Sequence, residues 1–332
     1  MNIFNWHTAD LIELGKERAR LPHAILIHGR AGTGEIAFAI GLAQLLLCET
    51  IADSGLACGK CAACNWFALG NHPDFRLVQP ESLSVENAEE SPDAKKEKRS
   101  NQIRIEQVRA LQDFLAVGTH RGGHRIIVLH PADSMTAATQ NALLKSLEEP
   151  PPSTVFMLVT NRPHRLLPTV RSRCRAVPLP FPDRVAATAW LKDEGIARPE
   201  LLLALAGGAP LSAARIAQTD PLRRRLIERL LDSRFDVISA AEHCLKVETA
   251  EAIVWLQNWT YDLLRSRLAG TLRYHLDEAA GIARIARSAE PAALTGYWRT
   301  LARASALAQH PLNAKLVFED LLFQYRNIIA AS

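Results

Sequence analysis

Apolar positions follow two regimes along the chain. Through about residue 180, short apolar runs alternate with longer stretches whose apolar residues recur every three or four positions. The runs at 24–28, 75–78, 125–129, 155–159 and 176–179 have the length and composition of strands. Residues 36–47, 105–115 and 139–149 repeat at helical spacing instead. Ile105, Val108, Leu111 and Leu115 mark one face of the second, and Pro150-Pro151-Pro152 stops the third. This alternation predicts an α/β domain with a largely parallel sheet over residues 1–180.

After Pro180-Phe181-Pro182 the strand pattern ends. Short helices are expected at 185–191 and 200–206, and Gly207-Gly208-Ala209-Pro210 breaks the pattern before a third at 211–218. A further boundary is read at Thr219-Asp220-Pro221. Beyond it, 222–231, 250–268, 272–286, 294–309 and 314–329 read as long amphipathic helices, with Ile253, Leu256, Leu263 and Leu264 on one stripe. The expected organisation is thus an α/β domain (1–180), a small helical domain (181–219) and an all-helical bundle (220–332). Trp255, Trp259 and Trp298 read as core or interface packing rather than ligand contacts. The stretch 81–101 is acidic first and basic afterwards, the pattern of a surface loop.

Composition changes this picture little. With 332 residues, 48% hydrophobic and 22% charged, the chain is of ordinary globular usage and long enough for two or three cores. A formal charge of +4 does not by itself indicate nucleic acid. The start, Met1 to Trp6, lacks the regions of a signal peptide, and no apolar run reaches the ~18 residues that span a bilayer, so a cytoplasmic protein without membrane partners is expected.

Candidate chemistry changes it more. Gly29-Arg30-Ala31-Gly32-Thr33-Gly34-Glu35-Ile36 follows an apolar run and precedes an apolar helical segment, which is the setting of a phosphate-binding P-loop, GxxxxGK[ST]. Gly29, Gly32 and Gly34 keep the loop's spacing. Glu35 stands where the lysine belongs and Ile36 where the Mg²⁺-binding hydroxyl belongs. A carboxylate about 4 Å from a phosphate charge costs roughly 4 kcal/mol at an effective dielectric near 20. Triphosphate binding is therefore not expected. Cys48, Cys58, Cys61 and Cys64 lie within seventeen positions, the last three as C-x₂-C-x₂-C. Such clustering points to metal before disulfide, and a structural tetrahedral Zn²⁺ is the first reading. An iron–sulfur cluster is the rival, although the Cys-Pro that closes a ferredoxin run is missing after Cys64; a redox pair would leave Cys64 surplus. Cys174 and Cys244 read as packing residues.

Three further segments carry a resemblance. Asn141-Ala142-Leu143-Leu144-Lys145-Ser146-Leu147-Glu148-Glu149-Pro150-Pro151, then Phe156-Met157-Leu158-Val159-Thr160-Asn161, then Arg171-Ser172-Arg173-Cys174 resemble the AAA+ clamp-loader family. The cysteine module and the C-terminal Asn313-Ala314-Lys315-Leu316 and Glu319-Asp320-Leu321-Leu322 extend the likeness over nearly the whole chain. It implies an AAA+ module with a zinc insertion, a helical lid and a helical collar. It also implies a five-subunit ring with γ/τ-type ATPases and a δ-type subunit, acting with a sliding clamp and primed DNA. Departures from an active member point one way. The strand ending Ile126-Ile127-Val128-Leu129 runs into His130-Pro131 where the family's Walker B motif has Asp-Glu, with Asp133 too late to substitute, and the lid's sensor arginine aligns with Leu211. Arg215 lies one turn further on. Thr160-Asn161 matches the sensor-1 position and is expected to be structural here. Arg173 matches the arginine finger that such subunits extend into a neighbour's ATP site, whereas Arg162 and Arg165 read as solvated loop residues.

The expected function is a non-hydrolysing clamp-loader subunit, with no ATP bound to it and zinc as its structural cofactor. The alternative is a stand-alone zinc-containing nucleic-acid-binding protein, suggested by the arginines at 162–175 and the four cysteines but lacking the aromatic interleaving of a single-strand platform. An autonomous ATPase would need a cation at 35, a hydroxyl at 36 and an acidic pair near 130.

Overall fold

A computed structural model describes residues 3–83, 99–120, 123–307 and 313–330. Most of the 81–101 stretch and the end of the helix expected at 294–309 lie outside the described residues. The chain divides into two compact units, Met1–Phe181 and Pro182–Ser332.

In the first unit the order is α1 (Asn5–Lys16), β1 (Ala24–His28), α2 (Glu35–Leu47), α3 (Ala62–Ala68), β2 (Phe75–Val78), α4 (Ile105–Ala116), β3 (Arg125–Leu129), α5 (Ala137–Glu148), β4 (Thr154–Thr160), α6 (Pro168–Arg171) and β5 (Arg175–Pro178). The five strands form one sheet in the order β2-β3-β4-β1-β5, and every pairing is parallel. β1 sits between β4 and β5, with Leu26 opposite Leu158 and Ala176. All of β3 and β4 is buried, as a parallel sheet covered on both faces requires. Period-two alternation then deals the residues to two cores. Leu26, Ile127, Leu129, Phe156 and Leu158 face α4 and α5, whereas Ile25, Ile27, Ile126, Val128, Met157 and Val159 face α1 and α2. Their burial on both faces accounts for the strands reading as short apolar runs. The helices α1, α3 and α6 had no clear periodic signal; α1 carries a weak apolar stripe and α3 starts at a cysteine, Cys61, whose sulfur accepts the Cys64 N–H.

Among its described residues the second unit has helices and no strand: α7 (Arg184–Asp193), α8 (Pro199–Leu205), α9 (Pro210–Leu230), α10 (Val237–Cys244), α11 (Thr249–Ala269), α12 (Ala279–Ser288), α13 (Pro291–Leu307) and α14 (Ala314–Ala330). A small core gathers Ala187, Leu191, Leu202, Leu203, Leu205 and Ala213. A larger one runs from Leu226 to Ile329 and contains Trp255 and Trp259. Trp259 donates to the Tyr325 hydroxyl at 2.8 Å, deep in this core. Trp298 lies outside both cores and is 41% exposed, so of the core and interface readings only the interface one applies to it.

Two helix boundaries differ from expectation. No break occurs at 219–221, because α9 runs for 21 residues with Pro221 inside it. Pro221 forfeits one backbone hydrogen bond. Burial on either side carries the helix through, from Ala213 by way of Asp220 and Arg223 to Leu226 and Leu230. Arg223 Nε donates to Asp220 Oδ1 at 2.9 Å, and Arg198, preceding α8, pairs with Asp220 and at 3.4 Å with Asp277. The second difference is at 272–275, expected as helix. There the fully buried Asp262 of α11 accepts the backbone N–H groups of Arg273 (2.8 Å), Tyr274 (3.0 Å) and His275 (2.7 Å) and lies 3.1 Å from His275 Nδ1. A carboxylate that gathers three donors holds this segment as a turn, and regular helix resumes only at Ala279.

Burial pushes the Asp262 carboxyl up, but the bonds from His275 and the backbone N–H of Arg273 outweigh it and hold the group below its ordinary value of 3.8. The stabilisation is therefore present above about that pH and is lost as pH falls through the lower folded value. Asp262→Ala should lower the unfolding free energy at pH 7 by about 3 kcal/mol, since three buried N–H groups lose their acceptor. Urea unfolding followed by tryptophan fluorescence checks this, and the difference from the parent should shrink as the pH is brought below 3.8.

Candidate functional site

The carboxyl ends of β1 and β4 are neighbours in the sheet, so the loops that leave them meet. In an open parallel sheet the crevice outside the strand ends is where ligands bind. From β1 the chain enters 29–34, where Gly32 (φ 83°) and Gly34 (φ 106°) take left-handed conformations that other residues rarely adopt. Gly34 is the N-cap of α2 and Glu35 its first residue. From β4 the chain delivers Thr160 and Asn161.

Glu35 turns back into the loop. It is only 6% exposed. Asn161 Nδ2 donates to its Oε1 at 2.6 Å and the Gly34 N–H to its Oε2 at 3.3 Å. A Cβ on Gly29 would lie 3.3 Å from Glu35 Oε1, a tight contact that would ask the carboxylate to shift by a few tenths of an ångström. The helix N-terminus and its free N–H groups favour an anion at this point. Here the chain supplies the anion itself. Burial raises the pKa of Glu35, while the hydrogen bonds from Gly34 and Asn161 act in the opposite direction. Ile36 packs against the α1/α2 side of the sheet.

A second layer closes over the loop from α1. Trp6 Nε1 donates to Thr33 O at 2.9 Å and His7 Nε2 lies 3.1 Å from the same oxygen. Phe4 stacks on Trp6 with centroids 4.8 Å apart and lies so close to Gly34 that a Cβ there would come 2.5 Å from its ring. None of Phe4, Trp6 and His7 was singled out from the sequence. Their clustering at the start of a polar, weakly periodic helix was the available signal.

At the end of β3, Gln79 Nε2 donates to His130 Nδ1 at 3.2 Å, and burial lowers the pKa of His130. Asp133 accepts the Thr160 hydroxyl at 2.6 Å. Thr160 and Asn161 thus both bind protein groups. Leu211 and Arg215 lie in the first two turns of α9, with Arg215 exposed.

Beyond α6, Ser172-Arg173-Cys174 leads into β5. Arg173 Nη2 lies 2.6 Å from Glu148 Oε1, and its Nη1 donates to Thr169 O at 2.9 Å. Cys174 packs against the α4/α5 core, and burial pushes its thiol up to about 11. Arg175 pairs with Glu17 at 2.6 Å, whereas Arg162, Arg165 and Arg171 are exposed.

The cysteine cluster is assembled by the end of α2 and the start of α3. Cys48 caps α2, Cys61 caps α3, and the sulfurs of Cys48, Cys58, Cys61 and Cys64 all lie within 4.8 Å of one another. Cys48 Sγ and Cys61 Sγ are 3.9 Å apart. That is near the roughly 3.8 Å edge of a tetrahedron with metal–sulfur bonds of about 2.3 Å. Backbone N–H groups point at three sulfurs: Cys58 N at Cys48 (3.3 Å), Lys60 N and Cys61 N at Cys58 (3.4 and 3.3 Å), and Cys64 N at Cys61 (3.4 Å). The Lys60 and Cys61 N–H groups pull the Cys58 thiol down to about 6, while burial pushes Cys48 and Cys64 up. Four sulfurs this close repel as thiolates, which a divalent cation relieves. The cluster can hold a metal ion.

Gly34→Ala should destabilise the protein by about 2–4 kcal/mol, from the left-handed backbone and the contact with Phe4 together. Thermal denaturation checks it, with Gly59→Ala as the comparison, since Gly59 shares a positive φ (69°) but has nothing within 4 Å of an added Cβ.

Two family models cover most of the chain: "DNA polymerase III, delta subunit" over residues 7–183 and "DNA polymerase III, delta subunit, C terminal" over residues 218–327. Relatives named DNA polymerase III subunit delta' match along nearly their whole length. That of Pseudomonas aeruginosa is 34% identical (98% of this chain, 98% of the relative) and that of Yersinia pestis 30% identical (99% and 97%). The Escherichia coli protein of that name is 29% identical, with 99% of this chain and 97% of the relative covered. Among solved structures, a DNA polymerase III gamma subunit-related protein of Thermotoga maritima shares the fold, with TM-score 0.51 and 18% identity over 96% of this chain and 99% of the other. The parallel sheet followed by a helical C-terminal region is thus a fold shared with that protein. With both halves matched in order, the chain belongs to the DNA polymerase III delta-prime subunit family.

Proposed function

We propose that the chain is a non-hydrolysing, delta-prime-type subunit of a DNA polymerase III clamp loader. In this reading it occupies a five-subunit cytoplasmic ring with γ/τ-type ATPases and a δ-type subunit, and through the ring it acts on the sliding clamp and primed DNA. The observation that carries the reading is Glu35, whose carboxylate accepts the Gly34 N–H and the Asn161 amide inside the phosphate cradle. A nucleotide would have to displace this carboxylate, and would then meet its charge without a lysine at 35, a hydroxyl at 36 or acidic metal ligands at 130–131 to offset the repulsion. Nucleotide turnover belongs to the neighbouring subunits. Residues 181–219 serve as the lid and 220–332 as the collar that joins the ring.

Arg173 is the group offered outward. A planar, permanently charged guanidinium supplied across an interface stabilises charge on a transferring γ-phosphoryl group, an effect worth on the order of 10³ or more in rate elsewhere. The four cysteines hold a structural zinc, which ties the end of α2 to the start of α3 and takes no part in chemistry.

Three measurements test these roles. The isolated protein should show neither ATP turnover nor micromolar ATP–Mg²⁺ binding by calorimetry; turnover abolished by Gly34→Ala would refute the reading. Elemental analysis should give one zinc per colourless chain, and Cys61→Ala should release it and raise amide exchange between about 48 and 70. Arg173→Ala should leave zinc content and assembly unchanged but slow single-turnover ATP hydrolysis by the reconstituted loader with clamp and primed DNA by about 10²-fold or more. Arg173→Lys should recover little of it, because an ammonium lacks the guanidinium fork.

A further inference from the structure

Arg173 is held on its own chain. Its two terminal nitrogens are both engaged, Nη2 with Glu148 Oε1 at 2.6 Å and Nη1 with the Thr169 carbonyl at 2.9 Å. The partners belong to regular elements, Glu148 being the last residue of α5 and Thr169 lying within α6. Yet Arg173 is 35% and Glu148 48% exposed, a degree at which an ion pair adds little to folding stability. Position argues against a stabilising role as well. Glu148 and Glu149 close α5 at its C-terminal end, where the helix dipole disfavours a carboxylate. Of the two, Glu148 meets the guanidinium, whereas Glu149 borders a shallow groove beside Gln112 and Lys145.

We infer that Glu148 is a positioning residue for Arg173: it fixes the guanidinium on α5 and α6 before a neighbouring subunit arrives, so that its remaining N–H groups point outward in one geometry. The inference rests on the reading of Arg173 as a group acting in trans. An unrestrained arginine samples many rotamers and must be ordered in each catalytic cycle, while a tethered one is ordered in advance. The carboxylate does not neutralise the finger's purpose, because a guanidinium has five donors and the pair uses only part of them.

The test uses the reconstituted loader with clamp and primed DNA, in single-turnover ATP hydrolysis at varied ATP. Glu148→Gln should lower the maximal rate about three- to tenfold and leave half-saturating ATP within twofold. Glu148→Asp, which keeps the charge, should recover part of the loss, and Glu149→Gln, which removes a neighbouring charge without touching Arg173, should match the parent. Glu148→Gln added to Arg173→Ala should cause no further loss, since a residue that acts only through Arg173 has nothing left to position. Thermal denaturation should place all variants within a degree or two of the parent. If Arg173→Ala slows hydrolysis while Glu148→Gln does not, the positioning role is wrong and the trans-acting reading survives. A faster Glu148→Gln, or an additive loss in the double variant, also overturns it. If Arg173→Ala is itself without effect, the trans-acting reading fails and the positioning role falls with it.

Discussion

The carboxylate of Glu35 is the constraint on which the first unit's functional end depends. A glycine loop at a helix N-terminus presents unpaired N–H groups and the positive end of a dipole, and such an arrangement needs an anion or water to satisfy it. Glu35 satisfies it from within, and its arrangement dictates its neighbours. Gly29 brings the backbone close to the carboxylate, Gly34 must turn left-handed beneath Phe4, and Asn161 must bring its amide across from β4. Trp6 and His7 then complete the loop by donating to Thr33 O. The contacts of Phe4, Trp6, His7 and Asn161 with the loop link elements far apart in sequence, so its shape is a property of the whole unit.

Much of this architecture was legible in the residues. The strand runs are apolar along most of their length because the central strands are buried on both faces, and the five expected ranges fall within a residue or two of those observed. The cysteine spacing likewise foretold a cluster, and the four sulfurs do converge. Contacts between distant side chains were not legible. Nothing at 161 announces a bond to residue 35, and nothing at 148 announces one to residue 173, because periodicity reports which face is apolar and not which polar groups meet.

Helix ends were misread where polar burial overrode local punctuation. Asp220-Pro221 has the sequence of a boundary, yet Asp220 is buried against Arg223 and paired with Arg198, and the helix continues. The reverse happened at 272–275, where apolar spacing suggested helix and the buried Asp262 drew the backbone N–H groups into a turn. In both cases one buried carboxylate decided the path of the chain. Composition cannot reveal such a carboxylate, since aspartate is mostly an exposed residue.

The continuity of α9 has a mechanical consequence. At about 1.5 Å per residue its 21 residues form a rod of roughly 30 Å. Its first half lies in the small core with Ala213 and its second in the large core with Leu226 and Leu230. With Asp220 clamped by Arg198 and Arg223 beside Pro221, the point where a rod is weakest is also where it is braced. A displacement applied to α7 and α8 therefore travels into the bundle as tilt of one lever, not as bending at a joint.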